Sequence, residues 1–341
     1  MALTTKPRVI LGCMTFGNAE HGGRVTEVSE VRKIFEHFSN SGHKELDTAR
    51  VYIKGEQEAF TAAAGYQDLN LEIATKIYPQ FGLDHTRACI RATIEKSLSE
   101  LKTDCVDIYY LHAADRNTPL EETLAACDEL YREGKFKRLG ISNFTAFEVA
   151  ETAVLCRERG WVRPTVYQAM YNCVTRAIEK ELVPACRRYG LDIVVYNPIA
   201  GGLFSGNFKP DTVPETGRFS DKNPAGKMYR GRYFHECYFS AVEMLSKEAE
   251  KQGISMLEVA FRWLLHHSAL NMGARGNDGI IIGVSSLEQL TANLKALEKG
   301  PLPEDLLAKV EEAWEMVKRE RVVDYWHLDL KYTYEWPKEK L

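Results

Sequence analysis

Residues 106–112 have the sequence VDIYYLH, a short and mostly apolar run that ends in a histidine. The same pattern occurs at 45–47, where ELD ends in Asp47, and at 72–76, where EIATK ends in Lys76. Short apolar runs between loop residues are typical of strands buried in a parallel sheet. The pattern therefore predicts parallel strands with a polar residue at or just beyond each carboxyl end.

Eight runs of this kind occur, at 8–12, 44–48, 71–76, 106–111, 138–141, 166–170, 192–197 and 280–283. Helical patterns lie between them at 86–102, 239–252, 256–266 and 286–297, and at 120–133, where we expect Thr118 and Pro119 to cap the start. This alternation predicts an α/β fold, a single (β/α)8 TIM barrel over residues 1–341. An open doubly wound sheet is the alternative, but its G-x-G-x-x-G fingerprint is absent.

Two segments extend beyond the repeating pattern. Residues 204–236 are rich in Gly, Pro, Asn, Lys and Arg, and predict a long loop after the seventh strand on the active-site face. Residues 315–341 are predicted to form an extra C-terminal tail on the barrel. The sequence leaves open whether this tail caps a pocket with rings or packs on the exterior or at a subunit contact. Its aromatic residues are Tyr325, Trp326, Tyr332, Tyr334 and Trp336.

The composition is that of a globular protein without a nucleic-acid footprint. The 341 residues are 45% hydrophobic and 27% charged, and the net charge is −4. The eight cysteines are scattered without a C-x-x-C pair, which predicts free thiols in a cytoplasmic protein and no metal site. We expect no signal peptide and no membrane span, because neither pattern occurs.

The polar residues at the strand ends are suited to reducing a carbonyl group. Active sites of such barrels are built at the carboxyl ends of the strands. A phenol such as Tyr52 is a weak acid at neutral pH, and a nearby ammonium such as Lys76 should lower its pKa. Asp47 can supply the counter-charge that a buried ammonium needs, and a neutral imidazole at His112 can orient the substrate oxygen. We therefore predict that Tyr52 acts as a general acid.

A hydride donor needs its own site on the same face. Tyr196 can stack on a nicotinamide ring, while Ser142, Asn143 and Gln168 can hydrogen-bond its carboxamide. An anion site is expected after strands seven and eight, where TIM barrels often bind phosphate and where a helix begins. The candidates for this anion site are Lys209, Arg218, Ser285, Ser286, Gln289 and Asn293.

Longer motifs add to these single residues. GHKELDTARVY, IATK, VDIYYLHAAD, LGISNF, PTVYQAMYNCVTR, YNPIAGGLFSG, YRGRYF and GVSSLEQLTANL all occur between residues 9 and 314. Together they resemble the aldo-keto reductases, and within them the subfamily of aflatoxin-aldehyde and succinic semialdehyde reductases.

The resemblance implies NADPH as cofactor, a small-molecule carbonyl substrate and a homodimer. It implies a catalytic tetrad of Tyr52, Lys76, Asp47 and His112, and it places Lys209, Arg218, Ser285, Gln289 and Asn293 at the adenosine phosphate. Predicted substrate contacts are Met14, His112, Tyr229 and Arg232, with the arginine suited to a carboxylate. Predicted pyrophosphate and ribose contacts are Asn197, Pro198, Ala200, Gly201, Gly202, Leu203, Ser205 and Gly206.

Two departures from the resemblance concern ligand binding. Asn207 stands where these reductases usually carry a lysine, and the substrate arginine usual in their tail has no clear match. The substrate is therefore either a small carboxylated aldehyde or a bulky aromatic carbonyl selected by the tail. A non-catalytic, redox-sensing subunit is disfavoured by the intact tetrad. A metal-dependent hydrolase is disfavoured because adjacent His266 and His267 face different sides of a predicted helix.

Overall fold

The computed structural model describes residues 6–206 and 208–335, and its central feature is a closed barrel of eight parallel strands. The strands pair in sequence order, and the last strand pairs with the first, so the sheet has no edge. This closure confirms the predicted TIM barrel and excludes the open sheet. The strands are β1 (Arg8–Gly12), β2 (Glu45–Asp47), β3 (Glu72–Ile77), β4 (Val106–Leu111), β5 (Phe136–Ser142), β6 (Pro164–Met170), β7 (Asp192–Tyr196) and β8 (Gly279–Gly283).

Helices surround the barrel and connect its strands. The predicted helix 256–266 has the bounds expected from the sequence, and the predicted helix 86–102 is one residue shorter at each end. The helices are α1 (Val28–Asn40), α2 (Gln57–Ala63), α3 (Arg87–Leu101), α4 (Leu120–Arg132), α5 (Ala146–Arg159), α6 (Leu182–Tyr189), α7 (Gly226–Tyr233), α8 (Glu236–Lys251), α9 (Met256–His266), α10 (Leu287–Leu297) and α11 (Glu304–Glu320). None of these helices is long and apolar enough to cross a membrane.

The starts of two helices test the predicted caps. The hydroxyl of Ser286 accepts the backbone N–H of Gln289 at 3.2 Å, so the serine before α10 is a true N-cap. The predicted cap of α4 by Thr118 is wrong. Pro119 occupies the N-cap position without a side-chain hydrogen bond, and the Thr118 hydroxyl instead donates to Asp115 at 2.7 Å.

The barrel interior is a packed core rather than a channel. One position shows how tight this packing is: a Cβ on Gly140 of β5 would lie 2.4 Å from two ring carbons of Tyr110 on β4. Only glycine therefore fits beside this ring without displacing it. The buried residues of the interior cluster are Ile10, Ala74, Ile108, Tyr110, Val166, Val194 and Ile281.

The long loop predicted at 204–236, after β7, is present but shorter than expected: residues 208–225 contain no helix or strand, and α7 then interrupts the predicted range. A short 3-10 helix covers Ala200–Ser205, α7 covers Gly226–Tyr233, and α8 begins at Glu236. The order in this region matters for the site, because α7 carries two of the predicted substrate residues, Tyr229 and Arg232.

The chain after α11 crosses the carboxyl-terminal face of the barrel. Helix α11 continues to Glu320, beyond the predicted start of the tail at 315, and residues 321–335, the C-terminal segment, contain no helix or strand. The backbone N–H of His327 donates to the carbonyl of Asn143, directly after β5, at 3.2 Å. The segment therefore lies beside the strand ends. Asn207 and Trp336 lie outside the described residues.

Candidate active site

A buried ion pair lies at the carboxyl ends of β2 and β3. The Lys76 ammonium donates to Asp47 Oδ2 and to the carbonyl of Thr48, both at 2.7 Å. Gln168 Nε2 donates to the other oxygen of Asp47 at 2.8 Å. Lys76 is fully buried, and burial lowers its pKa while the carboxylate of Asp47 opposes that effect. Asp47 therefore favours the charged form of Lys76 in a place where a lone ammonium would lose its proton.

The phenol of Tyr52 lies at the end of this ion pair. A turn at Tyr52–Gly55, after β2, brings the Tyr52 hydroxyl to 3.5 Å from the Lys76 nitrogen. Burial raises the pKa of Tyr52 well above 10, and the negative charge of Asp47 adds to the rise. The predicted lowering of this pKa is therefore wrong for this structure, because burial raises the pKa more than nearby positive charge lowers it. Tyr52 is a neutral phenol, which is the form that can donate a proton.

His112 follows β4 and stands edge-to-face against Tyr52, with ring centroids 6.0 Å apart. Its carbonyl accepts a hydrogen bond from Asn143 Nδ2 at 2.8 Å, which holds the residue in place. Burial, and then the charge of Lys76, lower the pKa of His112 well below 6.5. The imidazole is therefore neutral at pH 7 and can hydrogen-bond a carbonyl oxygen without adding charge.

The side chains predicted to contact a nicotinamide lie together beside this cluster. The Ser142 hydroxyl donates to the Gln168 carbonyl at 2.9 Å, and Asn143 Nδ2 donates to Ser142 Oγ at 2.9 Å. The Tyr196 hydroxyl donates to Asn143 Oδ1 at 2.8 Å. The structure thus brings the four residues into one network of amides, a hydroxyl and an aromatic ring at the ends of β5, β6 and β7.

The predicted pyrophosphate segment follows β7 and depends on glycine. Gly201 and Gly202 have φ values of 69° and 107°, which L side chains rarely adopt. A Cβ on Gly201 would also lie 3.0 Å from the Tyr229 ring. This backbone therefore passes directly beside a predicted substrate residue. The other predicted members of the segment are Asn197, Pro198, Ala200, Leu203, Ser205 and Gly206.

The start of α10 gathers residues that were predicted to bind the adenosine phosphate. The side-chain oxygen of Gln289 accepts from both the backbone N–H and the hydroxyl of Ser285, at 2.9 and 3.0 Å. Arg24, which the sequence analysis missed, donates to Ser285 Oγ at 3.1 Å. Because β1 pairs with β8, the loop after β1 lies next to the start of α10, and this closure of the barrel is the signal that could have identified Arg24. Asn293 lies further along α10 and is buried.

Arg218 contacts predicted substrate residues rather than α10. Its guanidinium donates to the Tyr229 hydroxyl at 2.8 Å, lies 3.6 Å from the Met14 sulfur and stacks over the Tyr229 ring at 4.8 Å. It is also close enough to Arg24 that its charge, after burial, lowers the pKa of Arg24. Arg218 therefore lies between the substrate residues and the start of α10, whereas Lys209 is exposed.

Arg232 on α7 meets a second residue that the sequence analysis missed. Its guanidinium lies 5.7 Å from the centre of the Tyr229 ring, and its Nη2 is 2.8 Å from Nε2 of His327 in the C-terminal segment. No strand or helix pattern predicts where that segment lies. The aromatic composition of the tail was the available signal, and it did not single out a histidine.

Arg24, Arg218 and Arg232 share an electrostatic property. Within the described part of the chain, no carboxylate lies within the 4.0 Å of an ion pair with any of the three. Arg218 and Arg232 are partly buried, and guanidinium groups in such places are normally paired with an acid, whereas Arg24 is exposed. The site therefore favours anionic ligands, and the N-terminal end of α10 adds to this preference.

The chain matches a known family over nearly the whole barrel. The family model described as the Aldo/keto reductase family matches residues 8–315. The chain belongs to this family. The match confirms the resemblance drawn from the motifs, and it identifies this aldo/keto reductase as an oxidoreductase that acts on carbonyl groups.

Individual aldo/keto reductases are similar over most of the chain. Aflatoxin B1 aldehyde reductase member 2 of Mus musculus is 41% identical over 326 residues, which cover 92% of this chain and 86% of that protein. Aldo-keto reductase family 7 member A3 of Homo sapiens is 40% identical, covering 92% and 96%. Aldo-keto reductase pigE of Monascus ruber is 35% identical, with the same coverage of 92% and 96%.

Proposed function

We propose that this protein reduces an aldehyde or ketone to an alcohol, with NADPH as hydride donor and Tyr52 as proton donor. The observation that supports it most is the contact chain from Asp47 through Lys76 to Tyr52, beside the neutral His112. Tyr52 holds its proton because burial raises its pKa, so the donor is in the required form before substrate arrives.

Each of the four residues has a distinct part in the proposed reaction. Bound NADPH supplies the hydride. The Tyr52 hydroxyl and the His112 imidazole hydrogen-bond the substrate oxygen, and the Tyr52 proton moves to that oxygen as negative charge develops on it. Lys76 stabilises the phenolate that remains, and Asp47 keeps Lys76 charged against the effect of burial.

The remaining strand-end residues fit the proposed cofactor. Ser142, Asn143 and Gln168 would hold the carboxamide, and the ring of Tyr196 would face the nicotinamide. The glycine-containing turn at Ala200–Ser205 would hold the pyrophosphate. The adenosine phosphate would be held by Arg218, Ser285, Gln289 and the start of α10. We add Arg24 to these predicted residues. The choice of the two arginines is supported by the observation that neither has a carboxylate partner among the described residues.

A small carboxylated aldehyde is the substrate that Arg232 favours. This guanidinium is largely enclosed, faces Tyr229 and contacts a neutral imidazole instead of an acid, which suits a carboxylate from outside. Replacing Arg232 by Ala should raise the KM for a carboxylated aldehyde about tenfold or more, because a charged hydrogen bond is worth about 1.5–3 kcal/mol. An unchanged KM would argue against this assignment.

A bulky aromatic carbonyl is the second candidate, and the rings near His112 favour it. Tyr78 packs edge-to-face on His112 with centroids 5.2 Å apart, and Phe81 stacks on Tyr78 at 6.2 Å while remaining 81% exposed. Comparing 9,10-phenanthrenequinone with succinic semialdehyde distinguishes the two candidates. The single-domain organisation over residues 1–341, the homodimer and the cytoplasmic location stay predictions.

Loss of NADPH absorbance with a carbonyl panel tests the proposal directly. Tyr52→Phe removes only the hydroxyl, so turnover should fall by about 10²–10⁴-fold while NADPH binding, followed by protein fluorescence, is retained. If NADPH binds but no carbonyl is reduced by the unaltered protein, a non-catalytic sensing role is the better explanation. If NADPH does not bind, the proposed function fails altogether.

A further inference from the structure

The C-terminal segment is anchored to the barrel by a buried ion pair. Arg116 and Glu148 are 3% exposed, and two guanidinium nitrogens donate to the two carboxylate oxygens at 2.8 and 3.0 Å. The same guanidinium donates to the backbone carbonyls of His327, Leu328 and Asp329 at 2.8, 3.3 and 3.3 Å. Three successive carbonyls on one rigid donor set the path of the chain at this point.

Further contacts on both sides of this point hold the segment in register. The Tyr325 hydroxyl accepts the backbone N–H of Ala146 at 3.1 Å, and the Tyr332 hydroxyl donates to Glu148 at 2.5 Å. The backbone N–H of Thr333 donates to the Arg116 carbonyl at 3.0 Å. The segment is therefore fixed before and after residue 327, and the direction of the His327 side chain follows from these anchors.

The side chain of His327 contacts a predicted substrate residue, Arg232, and a neighbouring tyrosine, Tyr78. Its Nε2 lies 2.8 Å from the Arg232 guanidinium, and its Nδ1 lies 3.5 Å from the Tyr78 hydroxyl. Tyr78 in turn packs against His112, so a continuous line of side chains joins His327 to the proposed reaction centre. Tyr78 and His327 belong to no motif that carried the resemblance.

The contact with Arg232 determines the chemical state of His327. A guanidinium can only donate, so Nε2 must be the acceptor and the ring proton must be on Nδ1. Burial, and then the charge of Arg232, lower the pKa of His327 to about 3, which agrees with a neutral ring. A neutral acceptor orients the guanidinium without cancelling its charge, whereas a carboxylate in the same place would neutralise it.

We propose that His327 is a specificity-determining residue, which positions Arg232 to bind the carboxylate of an aldehyde substrate. The proposal rests on the proposed reductase function and extends it to a residue delivered by the C-terminal segment. With one N–H of Arg232 held by the imidazole, the guanidinium keeps one orientation and its other donors stay available for an anion. His327 acts through Arg232 and takes no part in proton transfer.

Paired substrates and paired variants test this role. Succinic semialdehyde carries a carboxylate where butanal carries a methyl group, so their ratio of KM values isolates the anion contact. His327→Ala should raise the KM for succinic semialdehyde about tenfold, leave the KM for butanal within about twofold and leave both kcat values similar. His327→Gln, whose amide oxygen can accept from Arg232, should restore most of the lost affinity.

His266→Ala is the matched control, because His266 is also partly buried and its Nε2 bonds a backbone carbonyl, that of Lys299, at 2.9 Å. His266 lies on α9, and the KM values of His266→Ala for succinic semialdehyde and butanal should both stay unchanged. A purely structural role for His327 would instead lower kcat for both aldehydes and lower the melting temperature, with no recovery in His327→Gln. That result, or a lower KM for succinic semialdehyde in His327→Ala, would overturn the proposal.

Calorimetric titration with succinate, with and without NADP+, separates this proposal from the proposed reaction. The unaltered protein should bind succinate, and His327→Ala should bind it about tenfold more weakly. If this holds while no carbonyl is reduced, the anion-binding role of His327 stands and the reductase function fails. If carbonyls are reduced but His327→Ala binds succinate and turns over both aldehydes like the unaltered protein, the role of His327 is refuted.

Discussion

Replacing Lys76 by methionine should destabilise the protein because it leaves a buried carboxylate behind. Methionine keeps an unbranched side chain of similar length but removes the donor of two hydrogen bonds, to Asp47 and to the Thr48 carbonyl, both at 2.7 Å. Asp47 is 4% exposed and would retain the hydrogen bond from Gln168. The charge cannot reach water, so the carboxylate either stays unpaired or takes up a proton.

The size of the effect follows from these two possibilities. Removing one partner of a buried ion pair typically costs about 3–5 kcal/mol. Protonating a carboxyl of ordinary pKa, about 3.9, costs about 1.4 kcal/mol per pH unit, or about 4 kcal/mol at pH 7. At pH 5 the same protonation costs only about 1.5 kcal/mol. Lys76→Met should therefore lose about 4 kcal/mol of unfolding free energy at pH 7, and clearly less at pH 5.

Urea denaturation followed by circular dichroism at both pH values measures this difference, each time against the unaltered protein at the same pH. The double variant Asp47→Asn/Lys76→Met removes the stranded charge, so it should recover most of the loss at pH 7. The reasoning is refuted if Lys76→Met is equally destabilised at pH 7 and pH 5 and the double variant recovers nothing. In that case the cost would come from packing and not from charge.

Three further predictions concern other parts of the molecule. Gly140→Ala should lower the unfolding free energy, measured by urea denaturation, by about 1–3 kcal/mol because its methyl group would overlap the Tyr110 ring. Gly300→Ala, which has open space at its Cβ, should change this free energy little. Equal changes in the two variants would contradict the packing argument. Burial and a neighbouring guanidinium lower the folded-state pKa of His327 to about 3, so its contribution to stability is complete above about pH 6.5 and is lost as pH falls toward 3. Between these pH values the free energy of unfolding of His327→Gln, measured by urea titration, should therefore fall less steeply than that of the unaltered protein, by up to about 1.4 kcal/mol per pH unit. An identical dependence on pH in the two proteins would contradict a neutral ring. Arg24→Ala should weaken NADPH binding about tenfold in fluorescence titrations and leave NADH binding nearly unchanged, and equal weakening of both would exclude a phosphate contact.

The barrel and the residues at its strand ends could be predicted because both depend on local sequence. A strand buried on both faces needs a continuous apolar run, and a polar residue at its end, such as Asp47, Lys76 or His112, stands out against that run. Closure of the barrel then places the ends of all strands on one face. The contacts among the side chains at these ends therefore agree with the grouping expected from the sequence.

The ligand-facing residues on loops were harder to predict, for a physical reason. Arg24 and His327 lie on segments without periodic patterns, and their positions depend on contacts between residues far apart in the chain. His327 is placed by a hydrogen bond from Arg116, 211 residues earlier. The pKa of Tyr52 was predicted in the wrong direction because the degree of burial, which is the largest influence on this pKa, is a property of the packed structure.

The positive charges on this face differ in how they are balanced, and the difference matches their proposed tasks. Lys76 has its counter-charge within the barrel, so its environment is complete before any ligand binds and should respond little to salt. Arg24, Arg218 and Arg232 have no carboxylate partner among the described residues, and in the proposed function an incoming anion supplies it. Partly exposed charges that attract an anion from water are screened by salt. Rising ionic strength should therefore increase the KM values for NADPH and for a carboxylated aldehyde, while the proton transfer from Tyr52, and with it kcat, stays nearly constant.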